Sequence, residues 1–296
     1  MSSFKIDQIK IDYDKVNDMV KVTNNSKIND LKVWIINVNK NFCPLPMNKL
    51  KENHWVSVKI NYHDKWRVYI GTPDLEFFVF DLVFENGNFS FLKINDEQYY
   101  NFDNEICFII GHSGGGTSIV SKALRYFDIH FGDDCGNIEN RKSHESIAFR
   151  LFKLSFKPEF SLFKLRQSFS TLANIYDYKT SQINCVKITD IEDYTTTLGE
   201  IFPKCKFISI VRKQNNFYTT NEGKRFNQNS EIEVLKKQFF VVEGQPMFHL
   251  KFEKFFSDFV YFNKVLQFLG TSSKLRNQSE LENLKLAIEF DDNILK

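Results

Sequence analysis

Along the first hundred residues, apolar positions recur at every second place or in short unbroken runs. Leu31-Lys32-Val33-Trp34-Ile35-Ile36-Asn37-Val38 and Trp55-Val56-Ser57-Val58-Lys59-Ile60 are dense in β-branched and aromatic side chains, which suit a pleated, half-buried surface. Lys65-Trp66-Arg67-Val68-Tyr69-Ile70 alternates and then stops at Gly71-Thr72-Pro73. Residues 77–84 and 89–94 flank a turn carrying Asn86-Gly87, a pair that readily takes the positive φ angles of a tight hairpin. Short strands at close spacing, with no 3.6-residue period between them, predict a small sandwich or curled sheet over residues 1–103.

The texture changes around residues 95–104, which are polar and unpatterned and read as a linker. Beyond it, residues 104–296 alternate between buried-strand runs and helical segments. Residues 106–110 and 206–211 read as strands, 118–127 as a helix, and 254–269 as a long helix ending at Gly270, where a C-cap belongs. Such alternation predicts an α/β domain with a parallel sheet flanked by helices. The chain carries no internal repeat.

Composition narrows the classes. Of 296 residues, 42% are hydrophobic and 26% charged, which is the balance of a globular protein and excludes wholesale disorder. With 39 Lys+Arg against 37 Asp+Glu, the formal charge of +2 gives no field for a nucleic-acid partner. No apolar run approaches the ~20 residues that cross a bilayer, and Met1-Ser2-Ser3-Phe4-Lys5 opens without a hydrophobic stretch. The expectation is a soluble, cytoplasmic protein with no membrane partner. Cys43, Cys107, Cys135, Cys185 and Cys205 are scattered, without CxxC spacing. That argues for reduced thiols and against a disulfide framework or a zinc site, so no metal is expected.

The most informative segment runs from Ile106 to Val120: an apolar strand, then Gly111-His112-Ser113-Gly114-Gly115-Gly116-Thr117-Ser118, then a helix. Consecutive glycines let backbone N–H groups turn inward, and the new helix adds its free N–H groups and dipole, a cradle for an anionic phosphate. The bland reading is a glycine turn before a helix. Gly111-x4-Gly116 has the spacing of a P-loop, but Thr117 stands where an ATPase or kinase carries Lys. That Lys would contact the β- and γ-phosphates, so its absence counts against triphosphate chemistry.

Gly-x4-Gly-Thr-Ser after a strand resembles the 5′-phosphosulfate loop of sulfotransferases that use 3′-phosphoadenosine 5′-phosphosulfate (PAPS), most closely the sulfotransferase-like proteins of bacteria and phages. Three further stretches match in order. Phe131-Gly132-Asp133-Asp134 and the helix-opening Glu145 after His144 resemble the stretch that follows the family's loop. Phe202-Pro203-Lys204-Cys205-Lys206-Phe207-Ile208-Ser209-Ile210-Val211-Arg212 resembles its "fPdakfIxlvR" strand. Phe252-Glu253-Lys254 through Phe268-Leu269-Gly270 resembles its closing "yEdl…flG" helix. The likeness covers residues 105–270 and not the first hundred.

The resemblance implies a P-loop-type parallel sheet and PAPS as the donor, without a metal. It assigns Ser113, Gly114, Gly115, Gly116, Thr117 and Ser118 to the phosphosulfate, and Arg212 with Thr220 to the nucleotide's 3′-phosphate. A guanidinium suits that task because it grips phosphate bidentately; the alternative for Arg212 is a strand-end ion pair. Glu145 is the candidate base, with His144 as alternative; Glu145 can equally complement a helix N-terminus beside Ser143. Active members carry Lys or Arg where this chain has Gly114, and Lys187, on the family's "KdP" strand, is the candidate replacement cation.

The implied function is transfer of a sulfuryl group from PAPS to a hydroxyl of a carbohydrate or other small acceptor. Gly114 favours an alternative, a PAPS-binding recognition protein that has lost turnover. A small-molecule kinase is disfavoured by Thr117. Trp34, Trp55 and Trp66 all fall in the β-rich module, where exposed rings would suit sugar stacking and buried ones would build a core.

Overall fold

A computed structural model of the chain describes residues 8–38, 42–43, 48–85, 88–93, 102, 104–111, 116–131, 137–138, 141–142, 157, 159–175, 184–189, 195–212 and 244–293. Strands β1 (Ile9–Asp14), β2 (Met19–Asn24), β3 (Leu31–Asn37), β4 (Phe42–Cys43), β5 (Asn48–Leu50), β6 (Trp55–Lys59), β7 (Trp66–Gly71), β8 (Phe77–Glu85) and β9 (Asn88–Lys93) come first. Strand β10 (Ile106–Gly111) and helix α1 (Thr117–Arg125) follow, then β11 (Asn137–Ile138), β12 (Arg141–Lys142) and helix α2 (Leu162–Ile175). Next are β13 (Asn184–Thr189), α3 (Thr195–Ile201) and β14 (Cys205–Val211). Last in order are β15 (Met247–Lys251), α4 (Phe252–Phe255), α5 (Phe259–Leu269) and α6 (Gln278–Asn293). The protein is a mixed α/β chain with one parallel four-stranded sheet and two largely antiparallel ones.

These elements form two compact units. The first lies within Met1–Tyr100, Asp133–Ser143 and Ile147–Asp177; the second lies within Asn101–Gly132, His144–Ser146 and Tyr178–Lys296. Along the sequence the segments of the two units alternate.

In the first unit, β1, β2 and β6 make a three-stranded antiparallel sheet. A second sheet runs β12-β11-β4-β3-β7-β8-β9, with β5 also on β3, and is antiparallel except where β11 meets β4. Strand β2 buries every second residue, Val20 and Val22 pointing inward, as alternation requires of a sheet with one covered face. Strands β3 and β7 are central and buried throughout. Val20, Val22 and Val58 of the smaller sheet share one apolar cluster with Val33, Ile35, Val68, Ile70 and Phe80 of the larger. The hairpin of β8 on β9 pairs Glu85 with Asn88; its Asn86-Gly87 turn lies outside the described residues. Trp34 and Trp66 are core residues, while Trp55 is 56% exposed with the Lys21 ammonium 4.6 Å from its ring centroid.

The second unit is built on the parallel sheet β13-β10-β14-β15. Helix α1 carries the chain from β10 to His130, which pairs in parallel with Asn184 on the outer side of β13 and accepts the Cys185 N–H at 2.7 Å. The chain thus leaves β10 toward one edge of the sheet and leaves β14 toward the other, where β15 lies. Val120, Ala123 and Leu124 of α1, with Phe262, Val265, Leu266 and Leu269 of α5, cover one face. Each of these valine, leucine and phenylalanine side chains contributes about 1.5–3 kcal/mol on full burial.

The helix expected over 254–269 is two. Asp258 takes extended backbone angles and its carboxylate accepts the Tyr261 N–H at 3.0 Å, capping α5 and ending α4 after one turn. Gly270 closes α5 in the left-handed conformation.

Candidate functional site

In open α/β sheets a crevice forms outside the carboxyl ends of strands at the point where the winding direction reverses. Here that point falls between β10 and β14, which end at Gly111 and Val211. The glycine-rich loop follows the first and Arg212 follows the second.

Local packing explains the glycines that bound the loop. A methyl group on Gly111 would lie 3.0 Å from Thr117 Cγ2 and 3.4 Å from Ile210 Cβ, so the bare backbone lets α1 start close against β10 and β14. Gly116 caps α1 with φ +95°, left-handed backbone that favours glycine. A side chain at Gly116 would also overlap the ring of Phe252, the first residue of α4. From this cap the first-turn N–H groups of α1 have no carbonyl four residues earlier in the helix.

Positive charge gathers at this helix end. Lys187 sits in β13 in register with Ile109 of β10; its side chain is buried and donates from Nζ to Ser118 Oγ at 3.0 Å. An ammonium beside a helix N-terminus adds to the dipole's positive end, an arrangement that favours an anion nearby. Arg212 follows directly on the pair Val211–Lys251 of β14 and β15. Its guanidinium carbon stands 4.4 Å from the centroid of the Phe252 ring, and the residue is buried. One ring therefore touches both halves of the site, Gly116 and Arg212.

Of the residues singled out in the sequence, the fold brings Gly116, Thr117, Ser118, Lys187 and Arg212 to the carboxyl end of one sheet. Ser113, Gly114, Gly115, His144, Glu145 and Thr220 lie outside the described residues. In the sequence Phe252 stands only at the start of the block that resembles the family's closing helix, with no site role attached to it. It is found only through the β14–β15 register, which sets it beside Arg212.

Among the described residues, no three His, Cys, Asp or Glu side chains gather as a metal-binding group. Among them also, no helix is long and apolar enough to cross a membrane. Cys107 and Cys185 lie opposite each other on β10 and β13 as buried free thiols, and burial followed by the contact with Cys185 holds the Cys107 thiol far above its ordinary range. Compared with models of known protein families and with curated protein sequences, the chain matches none.

Proposed function

We propose that the cleft at the ends of β10 and β14 binds PAPS and that the chain moves its sulfuryl group to a hydroxyl of a carbohydrate or another small acceptor. What supports this reading is that the α1 N-terminus with Lys187, and Arg212, stand at the carboxyl end of one parallel sheet with the Phe252 ring in contact with both Gly116 and Arg212. Two separate cationic centres suit a ligand with two separate anionic groups, as a nucleotide with a 3′-phosphate and a 5′-phosphosulfate has.

The division of labour follows from chemistry. The α1 amides, with the Thr117 and Ser118 hydroxyls, hold the 5′ group, and the Arg212 guanidinium holds the 3′-phosphate bidentately. Lys187, fixed against Ser118, supplies the charge that Gly114 does not, neutralising the leaving phosphate. When bound, PAPS supplies the sulfuryl group, whose bond to the 5′-phosphate breaks as the acceptor oxygen bonds to sulfur. Glu145, or His144 in its place, takes the acceptor's proton.

Calorimetry of the full chain with adenosine 3′,5′-bisphosphate without magnesium, set against ATP–Mg, tests the binding half. Tight binding of the bisphosphate is expected; preference for ATP–Mg overturns it. Release of the bisphosphate from PAPS over a panel of glycans then tests transfer. Gly114 favours a second reading, a nucleotide-binding protein without turnover, and binding with no release would establish it. If transfer is present, Lys187→Ala is expected to lower turnover at saturating donor on the order of 10²-fold. Unchanged turnover removes Lys187 from the site.

A further inference from the structure

We infer that Phe252 is a positioning residue for the anion site: its ring presents the Arg212 guanidinium and ties that guanidinium to the glycine cap of α1. The inference rests on the phosphate-binding reading above and goes beyond it by assigning a residue that touches no ligand. Three observations carry it. The guanidinium carbon of Arg212 lies 4.4 Å from the ring centroid, within the range of a cation–π contact. The ring fills the space where a Gly116 side chain would stand. And the ring is braced from behind, edge-on to Phe256 at 5.5 Å, among partly buried residues packed on the core.

The backbone before Phe252 is held as well. The Lys251 N–H donates to Tyr261 Oη at 2.9 Å, and the Tyr261 hydroxyl donates to the His249 carbonyl at 3.2 Å. The platform is therefore fixed to both β15 and α5. Stacking occupies the face of a guanidinium and leaves its hydrogen bonding to the N–H edge, the edge that reads a phosphate. A flat ring orients that edge; an aliphatic side chain of similar bulk does not. Because the same ring abuts Gly116, it ties the position of the arginine to that of the helix cap.

The test is a double-mutant cycle on the full chain, read as the Kd of adenosine 3′,5′-bisphosphate by calorimetry, with the Arg212 Nε–H proton shift followed by NMR. Phe252→Leu is expected to weaken binding on the order of tenfold, and Phe252→Tyr to stay within about twofold of the parent. On an Arg212→Ala background, Phe252→Leu is expected to cost little more, because the ring acts through the arginine. The Nε–H resonance should carry a ring-current shift that Phe252→Leu abolishes. Independent losses at the two positions, unchanged binding in Phe252→Leu, or the absence of that shift would each overturn the assignment. Failure of the parent chain to bind the bisphosphate overturns the phosphate reading and this inference with it. Normal parent binding with an inert Phe252 overturns only the inference.

Discussion

Each unit buries an arginine, and the two are held differently. Arg67, in the antiparallel sheet, is 7% exposed and Arg212, at the end of the parallel sheet, 8%. Arg67 donates from Nε and Nη2 to the two oxygens of Asp81, its cross-strand partner, at 2.6 and 3.3 Å; burial lowers its pKa, and Asp81 together with Tyr69 more than offsets this and raises it. Arg212, just past the end of β14, has its guanidinium carbon 4.4 Å from the centroid of the Phe252 ring. A guanidinium whose N–H edge is spent on a carboxylate is a structural clamp. One that stacks on an aromatic ring has its plane oriented by that ring. The same residue type at the same burial thus marks a tie in one unit and a candidate binding group in the other.

The largest effect should come from breaking the tie. Asp81→Ala removes the carboxylate from a buried guanidinium, and stability measured by urea unfolding should fall by about 3 kcal/mol. Bisphosphate affinity of the folded fraction should stay the same. Next is Arg212→Ala, with the reverse signature: binding weakened by about 1.5–3 kcal/mol, the value of hydrogen bonds to charged groups, and a melting temperature close to the parent's. Equal stability losses in both variants would erase the distinction between the two arginines.

Gly116→Ala sharpens the comparison from the loop side. The new methyl group would meet the Phe252 ring, and alanine would have to hold φ +95°. A cost of about 1–3 kcal/mol in stability is expected, accompanied by weaker bisphosphate binding because the ring that carries Arg212 must shift. Loss of stability with intact binding would separate the glycine from the site.

What the sequence disclosed follows from the range of the interactions involved. The strand–glycine–helix of β10 and α1, the strand ending at Arg212 and the stop at Gly270 are local patterns, readable because apolar runs and turn residues declare themselves over a few positions. The break between α4 and α5 was hidden, since a phenylalanine-rich run reads as helix and only the extended backbone of Asp258 reveals the cap. Helix α2 packs in the first unit, where Ser168 donates to the carbonyl of Leu75 at 2.6 Å. A partner 93 residues away leaves no local trace. Phe252 was hidden for the same reason: its role depends on the register of β14 with β15.

The smallest effect concerns the lysines, which divide as the arginines do. Lys187 reaches a hydroxyl at the helix cap, whereas Lys32 is enclosed in β3, opposite Lys49 on β5 and Gly71 on β7. Burial first, then the neighbouring Lys49 and Lys157, pull the Lys32 ammonium down to about 8 from its ordinary 10.5, with Asp30 opposing. A lowered lysine means that the folded chain binds fewer protons than the unfolded chain between these two values, so stability rises with pH across that window. Below pH 8 the charged form stays buried and the gain is absent. Tyr13, raised to about 12 by its hydrogen bond to Asp18, and the thiols of Cys107 and Cys205, raised by burial, act in the opposite sense above their ordinary values. The measurement is therefore a difference: urea midpoints at pH 7.5 and 10 for the parent and for Lys32→Met. The parent should gain about 1–2 kcal/mol more than the variant over that interval. An equal slope in both would mean that Lys32 is hydrated, and that burial of a lysine in the first unit carries no more consequence than exposure.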